Sequence, residues 1–174
     1  TKRKRIEQAL NESEQKYREL ADSFPEMIFE TNLTGGLTYA NRKAVDSYGF
    51  TPDDLRGRVN ILDYLSPESR NRAEARLAQV LREGDIGADE YLIKRKDGTL
   101  FPAMAHTTRI MRDGKPAGVR GILVDITARK QSEETLAASE KRLRNTLDSI
   151  LEGCLIFDFI WRCIYANEAV AEQG

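Results

Sequence analysis

Apolar side chains recur at every seventh position in two segments of the chain. The residues between them are mostly Glu, Gln, Lys, Arg and Ala, which favour helix. This spacing is typical of an amphipathic helix with a narrow apolar stripe, as in a short coiled coil. The stripe residues, named here the dimer seam, are Leu10, Tyr17, Phe24, Leu136, Leu143 and Ile150. Such a helix either covers its own domain or pairs with a second copy of the chain, and we expect a parallel homodimer.

Between the two heptad segments the pattern changes to alternation interrupted by turn residues. The predicted strands are Met27–Thr31, Leu37–Ala40, 88–95, 99–111 and 117–126, and the predicted helices are 41–47, a short one from 51, and 66–82. Two Asp-Gly pairs, 97–98 and 113–114, separate the last three strands, which is a strong hairpin signal. The order β-β-α-α-α-β-β-β predicts an α+β fold with one five-stranded antiparallel sheet and short helices on one face.

The chain repeats itself at an offset of 126 residues, as from Tyr39-Ala-Asn41 to Tyr165-Ala-Asn167. A period of this length corresponds to one domain and its connector. We therefore predict a linker helix over 1–21, a domain over 22–127, a second linker helix over 128–150 and the truncated start of a second domain over 151–174. Because Thr1 aligns with Thr127, the chain is expected to be a slice of a longer tandem array.

Composition narrows the class of protein. Apolar residues make up 40% and charged residues 32%, and the net charge of −1 gives no nucleic-acid footprint. The basic run 2–5 is interpreted as a solvated helix start, with contact to acidic lipid as the alternative. We expect no signal peptide, and no stretch approaches the roughly 20 apolar residues of a membrane span. Cys154 and Cys163 show neither zinc spacing nor a disulfide framework, which predicts a reducing cytoplasm.

Four segments in order, 39–42, 48–57, 95–102 and 121–130, resemble the PAS sensor domain. The resemblance spans nearly all of 22–127, and the fragment from Asp148 resembles the first hairpin of a second PAS domain. It implies a small pocket between sheet and helices, and transmission of ligand-driven or partner-driven changes into a flanking helix. PAS domains usually belong to larger proteins, such as sensor histidine kinases, cyclic-dinucleotide enzymes or transcription regulators. Adjacent PAS and output domains are therefore the expected partners within one protein.

Few side chains in this chain could carry a cofactor or catalysis. Haem-binding relatives use a histidine of the long central helix, but 66–82 contains none. Flavin-photoreceptor relatives need a cysteine in the helical region, and 60–65 offers none, which also excludes a covalent chromophore. His106 is the only histidine, and alternation places it on the face opposite Ala103 and Ala105. We expect no metal and no enzymatic activity, and either a non-covalent small molecule or no ligand. A haem sensor using His106 is a rival interpretation.

The candidate pocket residues come from the helices and the inner sheet face. They are Phe29, Tyr39, Val45, Tyr48, Leu62, Leu65, Leu77, Ala103 and Ala105. Either they line an apolar cavity with tyrosine hydroxyls at its rim, or they simply fill a core.

Asp125, Ile126 and Thr127 form the predicted signal joint between the last strand and the second linker helix. Thr127 is expected to be the N-cap, Asp125 to add negative charge at the helix start, and Ile126 to pack back under the sheet. The joint either only caps the helix or also couples strand position to helix direction, and we expect coupling. The sequence thus predicts a sensory and signal-transmission module, most simply of a sensor histidine kinase. The alternative is a ligand-free dimerisation and spacer domain in a PAS array.

Overall fold

The computed structural model describes residues 2–56, 59–149 and 154–167. The chain divides into two compact units, Thr1–Thr127 and Ala128–Gly174. The seam residue Ile150 lies outside the described residues. Among the residues that are described, no helix is long and apolar enough to cross a lipid bilayer.

The first unit holds a long helix followed by a mixed sheet-and-helix domain. Its helices are α1 (Lys2–Ser23), α2 (Arg42–Tyr48), α3 (Pro52–Arg56) and α4 (Pro67–Glu83), with a 3-10 turn at Ile61–Tyr64. Its strands are β1 (Met27–Thr31), β2 (Leu37–Ala40), β3 (Ala88–Lys94), β4 (Leu100–Arg112) and β5 (Lys115–Asp125). Helix α5 (Thr127–Asp148) starts at the last residue of this unit and continues into the second. The second unit adds the hairpin of β6 (Leu155–Phe157) and β7 (Cys163–Ala166).

The five strands of the first unit form one antiparallel sheet in the order β2-β1-β5-β4-β3. Strand β1 therefore lies beside β5, with Phe29 opposite Gly121. The helices α2 to α4 fall in the long connection between β2 and β3. The predicted α+β class and five-stranded sheet are confirmed.

Local signals in the sequence explain where the helices start and stop. The Asn41 side chain caps α2 by accepting from the Ala44 N–H, and Gly49 ends the helix with φ of 75°. Ser66 caps α4 and Pro67 occupies its first turn. The β4–β5 turn places Asp113 and Gly114 at φ of 49° and 74°, as a type I′ hairpin requires.

Alternation along the strands separates an inner face, covered by the helices, from an outer face. The inner face carries Ile93, Phe101 and Ala103, which are 1%, 3% and 0% exposed. Tyr48 and Phe50, from the helical side, stack with ring centroids 5.1 Å apart and close this core. The outer face keeps apolar side chains in partial contact with solvent.

Groups outside the ladder cover the two edges of the sheet. At edge strand β3, the Leu92 N–H donates to Ser69 Oγ at 2.9 Å and the Leu92 carbonyl accepts from the Ser66 N–H at 2.9 Å. Arg72 donates to the Glu90 carbonyl on the same strand. At edge strand β2, the Leu37 N–H donates to the Val59 carbonyl at 2.8 Å.

Candidate functional site

A small cavity lies between the inner face of the sheet, the 3-10 turn and α4, with a volume of about 70 Å³. Six of the nine predicted pocket residues line it: Phe29, Tyr48, Leu62, Leu65, Leu77 and Ala105. The walls are mainly apolar and include the rings of Phe29 and Tyr48. Burial raises the pKa of the Tyr48 hydroxyl far above its usual range, so this group is neutral at any physiological pH.

The structure moves the other three predicted residues away from the cavity. Tyr39 lies on the outer face, because it pairs with Glu30, whose side chain points away from Phe29. Its ring packs against Tyr17 of α1, with centroids 5.6 Å apart. Val45 packs on the core from α2 without reaching the cavity. Ala103, opposite Tyr91, is fully buried in the core rather than in the cavity wall.

Sequence reasoning missed the polar residues of the cavity wall. Arg76 of α4 and Asp89 of β3 both line it, and Arg76 Nε lies 3.5 Å from Asp89 Oδ2. Arg76 also donates to the carbonyl of Ile86 at 2.5 Å. A signal was present, since Arg76 follows Ala73 by three positions on α4 and Asp89 precedes inward-facing Tyr91 by two.

The loop between α4 and β3 is held on the cavity wall by cationic and polar side chains. Asp85 accepts from the Gly87 N–H at 2.9 Å and lies 2.9 Å from His106 Nε2. The Gly87 N–H, followed by His106, lowers the pKa of Asp85. Arg109 donates to the Leu81 carbonyl at 3.0 Å. His106 is therefore half-exposed, a partner of this loop, and outside the cavity wall.

The signal joint at the end of β5 is held by polar contacts on both sides of Asp125. Asp125 Oδ1 accepts from the Thr127 N–H at 2.9 Å, and Arg95 Nη2 lies 3.7 Å from Asp125 Oδ2. Ile126 is 5% exposed, and its N–H donates to the Pro102 carbonyl at 3.1 Å. Helix α5 begins at Thr127, so the group that accepts from its first N–H is the Asp125 carboxylate, where the sequence had suggested Thr127 as the cap.

Arg95 connects this joint to the helical side of the domain. Its guanidinium carbon lies 3.9 Å from the centre of the Phe101 ring, and Nη1 donates to the Ser47 carbonyl of α2 at 3.3 Å. Asp125 is thereby linked to β4 and to α2 through one side chain.

The dimer-seam residues are largely exposed. Leu10, Phe24, Leu136 and Leu143 are 58%, 51%, 61% and 61% exposed. Tyr17 is partly used within its own unit, because its hydroxyl donates to Glu30 at 3.3 Å and Arg120 lies 5.7 Å from its ring centre.

The chemistry available at the cavity and joint is binding and hydrogen bonding. Within 2–56, 59–149 and 154–167, no cluster of three or more His, Cys, Asp and Glu side chains could hold a metal ion. The residues that line the cavity include one cation, one carboxylate, one threonine and two tyrosines among apolar side chains.

Comparison with known families decides the assignment. A family model described as PAS domain matches residues 25–128, and a second model with the same description matches residues 141–173. This chain belongs to the PAS domain family. The predicted resemblance is confirmed, and the two matches agree with the 126-residue repeat.

Several curated relatives of this PAS chain are named as kinases, cyclases or sensors. Sporulation kinase C of Bacillus subtilis is 28% identical over 77% of this chain and 33% of that protein. The probable diguanylate cyclase DgcE of Escherichia coli is 31% identical over 84% of this chain and 13% of that protein. The two-component sensor PprA of Pseudomonas aeruginosa is 30% identical over 77% of this chain and 14% of that protein. The chain spans a third or less of the length of these relatives.

Solved structures share the fold. The PAS domain of an HTR-like protein from Haloarcula marismortui superposes with a TM-score of 0.59 at 22% identity, over 71% of this chain and 99% of that one. A sensory box histidine kinase/response regulator from Burkholderia thailandensis gives a TM-score of 0.55 at 22% identity, over 75% and 97%. At these identities the likeness establishes the fold of the PAS domain.

Proposed function

We propose that this chain is a sensory and signal-transmission PAS module, and that the state of its cavity or of a bound partner passes through Asp125, Ile126 and Thr127 into helix α5. The kinase and sensor proteins among its relatives support the sensory role. The observation that carries the transmission step is the position of Asp125, which holds the first N–H of α5 and faces Arg95.

The proposed mechanism follows from the short connection between β5 and α5, which is the single residue Ile126. Ile126 is buried and bonded to Pro102, so α5 starts without any flexible residue between it and β5. A shift of β5 against β4 must therefore move the Thr127 N–H and the Asp125 carboxylate together. Because Arg95 reaches Ser47, a change on the helical side of the domain also acts on this carboxylate.

The proposed ligand is a small non-covalent molecule. Cavities that hold drug-sized ligands measure about 300–1,000 Å³, and this one measures about 70 Å³. A larger ligand would need the loop of Asp85 and Gly87 to move outward. The location of His106 outside the cavity wall supports the prediction against a haem sensor.

The larger assembly is proposed on the same basis. The chain is proposed to be a non-enzymatic, cytoplasmic part of a longer signalling protein, such as a sensor histidine kinase. It is proposed to dimerise along the seam, because Leu10, Phe24, Leu136 and Leu143 leave more than half of their surfaces in water.

Asp125→Ala in the complete signalling protein tests the transmission step. We expect a folded domain, a loss of about 1 kcal/mol from the helix start, faster amide exchange in the first turn of α5, and output that no longer follows the input. Asp46→Ala is the matched control, since Asp46 is an exposed carboxylate 3.9 Å from Arg42 on the surface of α2. Regulated output with unchanged exchange in Asp125→Ala would overturn the proposal.

The small cavity also favours a second candidate, a spacer domain that binds nothing. Ala105→Leu distinguishes the two, because Ala105 lines the cavity and leucine adds three carbons to it. A sensor with this substitution loses its response to ligand, whereas a spacer only repacks and keeps its output. Ala103→Leu controls for overpacking, since Ala103 is buried in the core outside the cavity wall.

A further inference from the structure

Asn41 fastens the end of helix α1 to the hairpin that follows it. The Asn41 side chain is 0% exposed, and Nδ2 donates to the carbonyls of Ala21 at 2.9 Å and Glu26 at 3.0 Å. Oδ1 accepts from the N–H groups of Ile28 at 2.9 Å and Ala44 at 3.0 Å. One amide thus holds the last turn of α1, the start of β1 and the start of α2 together.

The second unit contains the same attachment at the 126-residue offset. Asn167 is 1% exposed, Oδ1 accepts from the Cys154 N–H at 2.9 Å, and Nδ2 donates to the Leu147 carbonyl at 3.3 Å. Cys154 and Leu147 correspond to Ile28 and Ala21 in the first copy. The junction between an incoming helix and the PAS hairpin is therefore a repeated structure.

The two copies differ at the aspartate that ends the incoming helix. In the first copy Asp22 Oδ1 accepts from the Arg42 N–H at 2.7 Å. In the second copy Asp148 Oδ1 accepts from the hydroxyl of Tyr165, the equivalent of Tyr39. The same carboxylate position thus uses two different donors.

Tyr39 supplies a second, independent observation. Its hydroxyl oxygen is buried and has no hydrogen-bond partner within the part of the chain that the structure describes. Burial, followed by the charge of Asp22, raises the pKa of Tyr39. A buried hydroxyl close to a carboxylate and without a partner is expected to compete for that carboxylate.

We propose that Asp22 is a two-position acceptor that exchanges between the Arg42 N–H and the Tyr39 hydroxyl when the last turn of α1 moves relative to the hairpin. In the first position the exposed start of α2 is capped and the Tyr39 hydroxyl is unpaired. In the second position the hydroxyl is paired, as in the second copy, and the Arg42 N–H turns to water. The first position leaves a buried hydroxyl unpaired and the second leaves an exposed N–H to water. The two states therefore differ by the cost of one unpaired donor, a difference small enough for both to be populated.

The junction between α1 and the hairpin gives the domain an input, in addition to the proposed output at Asp125. Tyr17 of α1 contacts Glu30 of β1 and Arg120 of β5, so movement of α1 reaches the strand that ends at the signal joint. The role of α1 as an input rests on the proposed transmission function. The two positions of Asp22 do not, and they are tested by signals of residues 22, 39 and 42 rather than by α5 or output.

The test is NMR relaxation dispersion of the Arg42 amide in the full chain. We expect microsecond-to-millisecond exchange at Arg42 in the wild type, and its loss in Tyr39→Phe, which leaves Asp22 a single donor. Tyr165→Phe is the matched control: it removes the equivalent hydroxyl in the second unit and leaves the Arg42 exchange as it was.

Two results of this experiment would contradict the proposal. A single Arg42 environment in the wild type, or exchange that persists in Tyr39→Phe, would overturn the two-position carboxylate. As a second measurement, Arg42→Pro removes the N–H donor at the first position of α2, where proline is tolerated. We expect it to shift the ring signals of Tyr39 towards those of Tyr165. Tyr39 signals that stay unchanged in folded Arg42→Pro would also contradict the proposal.

Discussion

The two faces of the five-stranded sheet are built from the same strands and differ in almost every other respect. On the inner face Ile93 and Ala103 are 1% and 0% exposed. On the outer face Ile122 and Val124 are 42% and 41% exposed. The outer face is also where Glu30 pairs with Arg120, their closest atoms 2.5 Å apart.

This difference separates what makes the domain fold from what lets it respond. Inner-face side chains are fixed by close packing, where small changes in volume are felt. Outer-face side chains meet α1 through a hydroxyl, a carboxylate and a guanidinium, whose contacts exchange with water at low cost. We therefore expect substitutions on the inner face to act on stability and those on the outer face to act on the position of α1.

Phe29→Ala is expected to have the largest effect. Phe29 is 5% exposed, and its loss leaves a hole beside the cavity, which typically costs about 3–5 kcal/mol. Ile122→Ala, on the outer face of a paired strand, should cost below about 1 kcal/mol. Urea unfolding of both variants measures the difference between the two losses in free energy of unfolding. Equal losses would show that the outer face is also closed by a partner.

Gly121→Ala tests how tightly the inner face is packed. A Cβ at Gly121 would lie 2.5 Å from the ring atoms Cε1 and Cζ of Phe29, so we expect a loss of about 1–3 kcal/mol from overpacking. The double variant Gly121→Ala/Phe29→Leu should lose less stability than the sum of the losses in the two single variants. Strict additivity in thermal unfolding would contradict this packing contact.

Glu30→Gln tests the polar link of the outer face. Glu30 accepts from Arg120 Nε at 2.7 Å and from the Tyr17 hydroxyl, while the Arg120 side chain is half-exposed. We expect a loss of about 1 kcal/mol and faster amide exchange in the last turns of α1. Glu7→Gln, which alters an exposed pair with Arg3, is the control and should change neither quantity. Amide exchange in α1 as slow as in the wild type would show that Glu30 does not hold α1 on the sheet.

Tyr48→Phe is expected to be silent at neutral pH and visible only in alkali. The folded-state pKa of Tyr48 is raised by burial above the unfolded value of about 10. Its contribution to stability is complete below pH 10 and is lost as pH rises above 10, because only the unfolded chain ionises readily. The free energy of unfolding, measured with denaturant between pH 8 and 11, should therefore fall less steeply with pH in Tyr48→Phe than in the wild type. Parallel curves would place this hydroxyl in contact with water.

Periodicity and turn chemistry carried most of the fold prediction. The Asp-Gly turns placed β3, β4 and β5, and alternation along β4 separated Ala103 and Ala105 from His106, which the structure confirms. The helix starts were readable because Asn41 and Ser66 cap the helices that follow them. These signals are local, and a local signal survives without knowledge of the rest of the fold.

The predictions that failed in the candidate site depend on contacts between residues far apart in the sequence. Tyr39 was assigned to the cavity because the register of β1 with β2, which shifts between Glu30 and Thr31, is not visible in either strand alone. The Arg76–Asp89 pair joins a helix to a strand, and neither residue announces its partner. Asn41 was predicted as a helix start but not as the link to α1, since three of its four side-chain hydrogen-bond partners lie 13 to 20 positions away.

The covered edges of the sheet have a consequence for a chain in which a second PAS match follows the first. Related strands in tandem domains are prone to pair with the wrong neighbour while the protein is being made. Here Ser66, Ser69 and Arg72 occupy backbone groups of β3 that a strand from another copy would need. The Val59 carbonyl does the same at β2. The five-stranded sheet therefore offers no free edge at these positions, which opposes strand exchange with a neighbouring segment of the same fold.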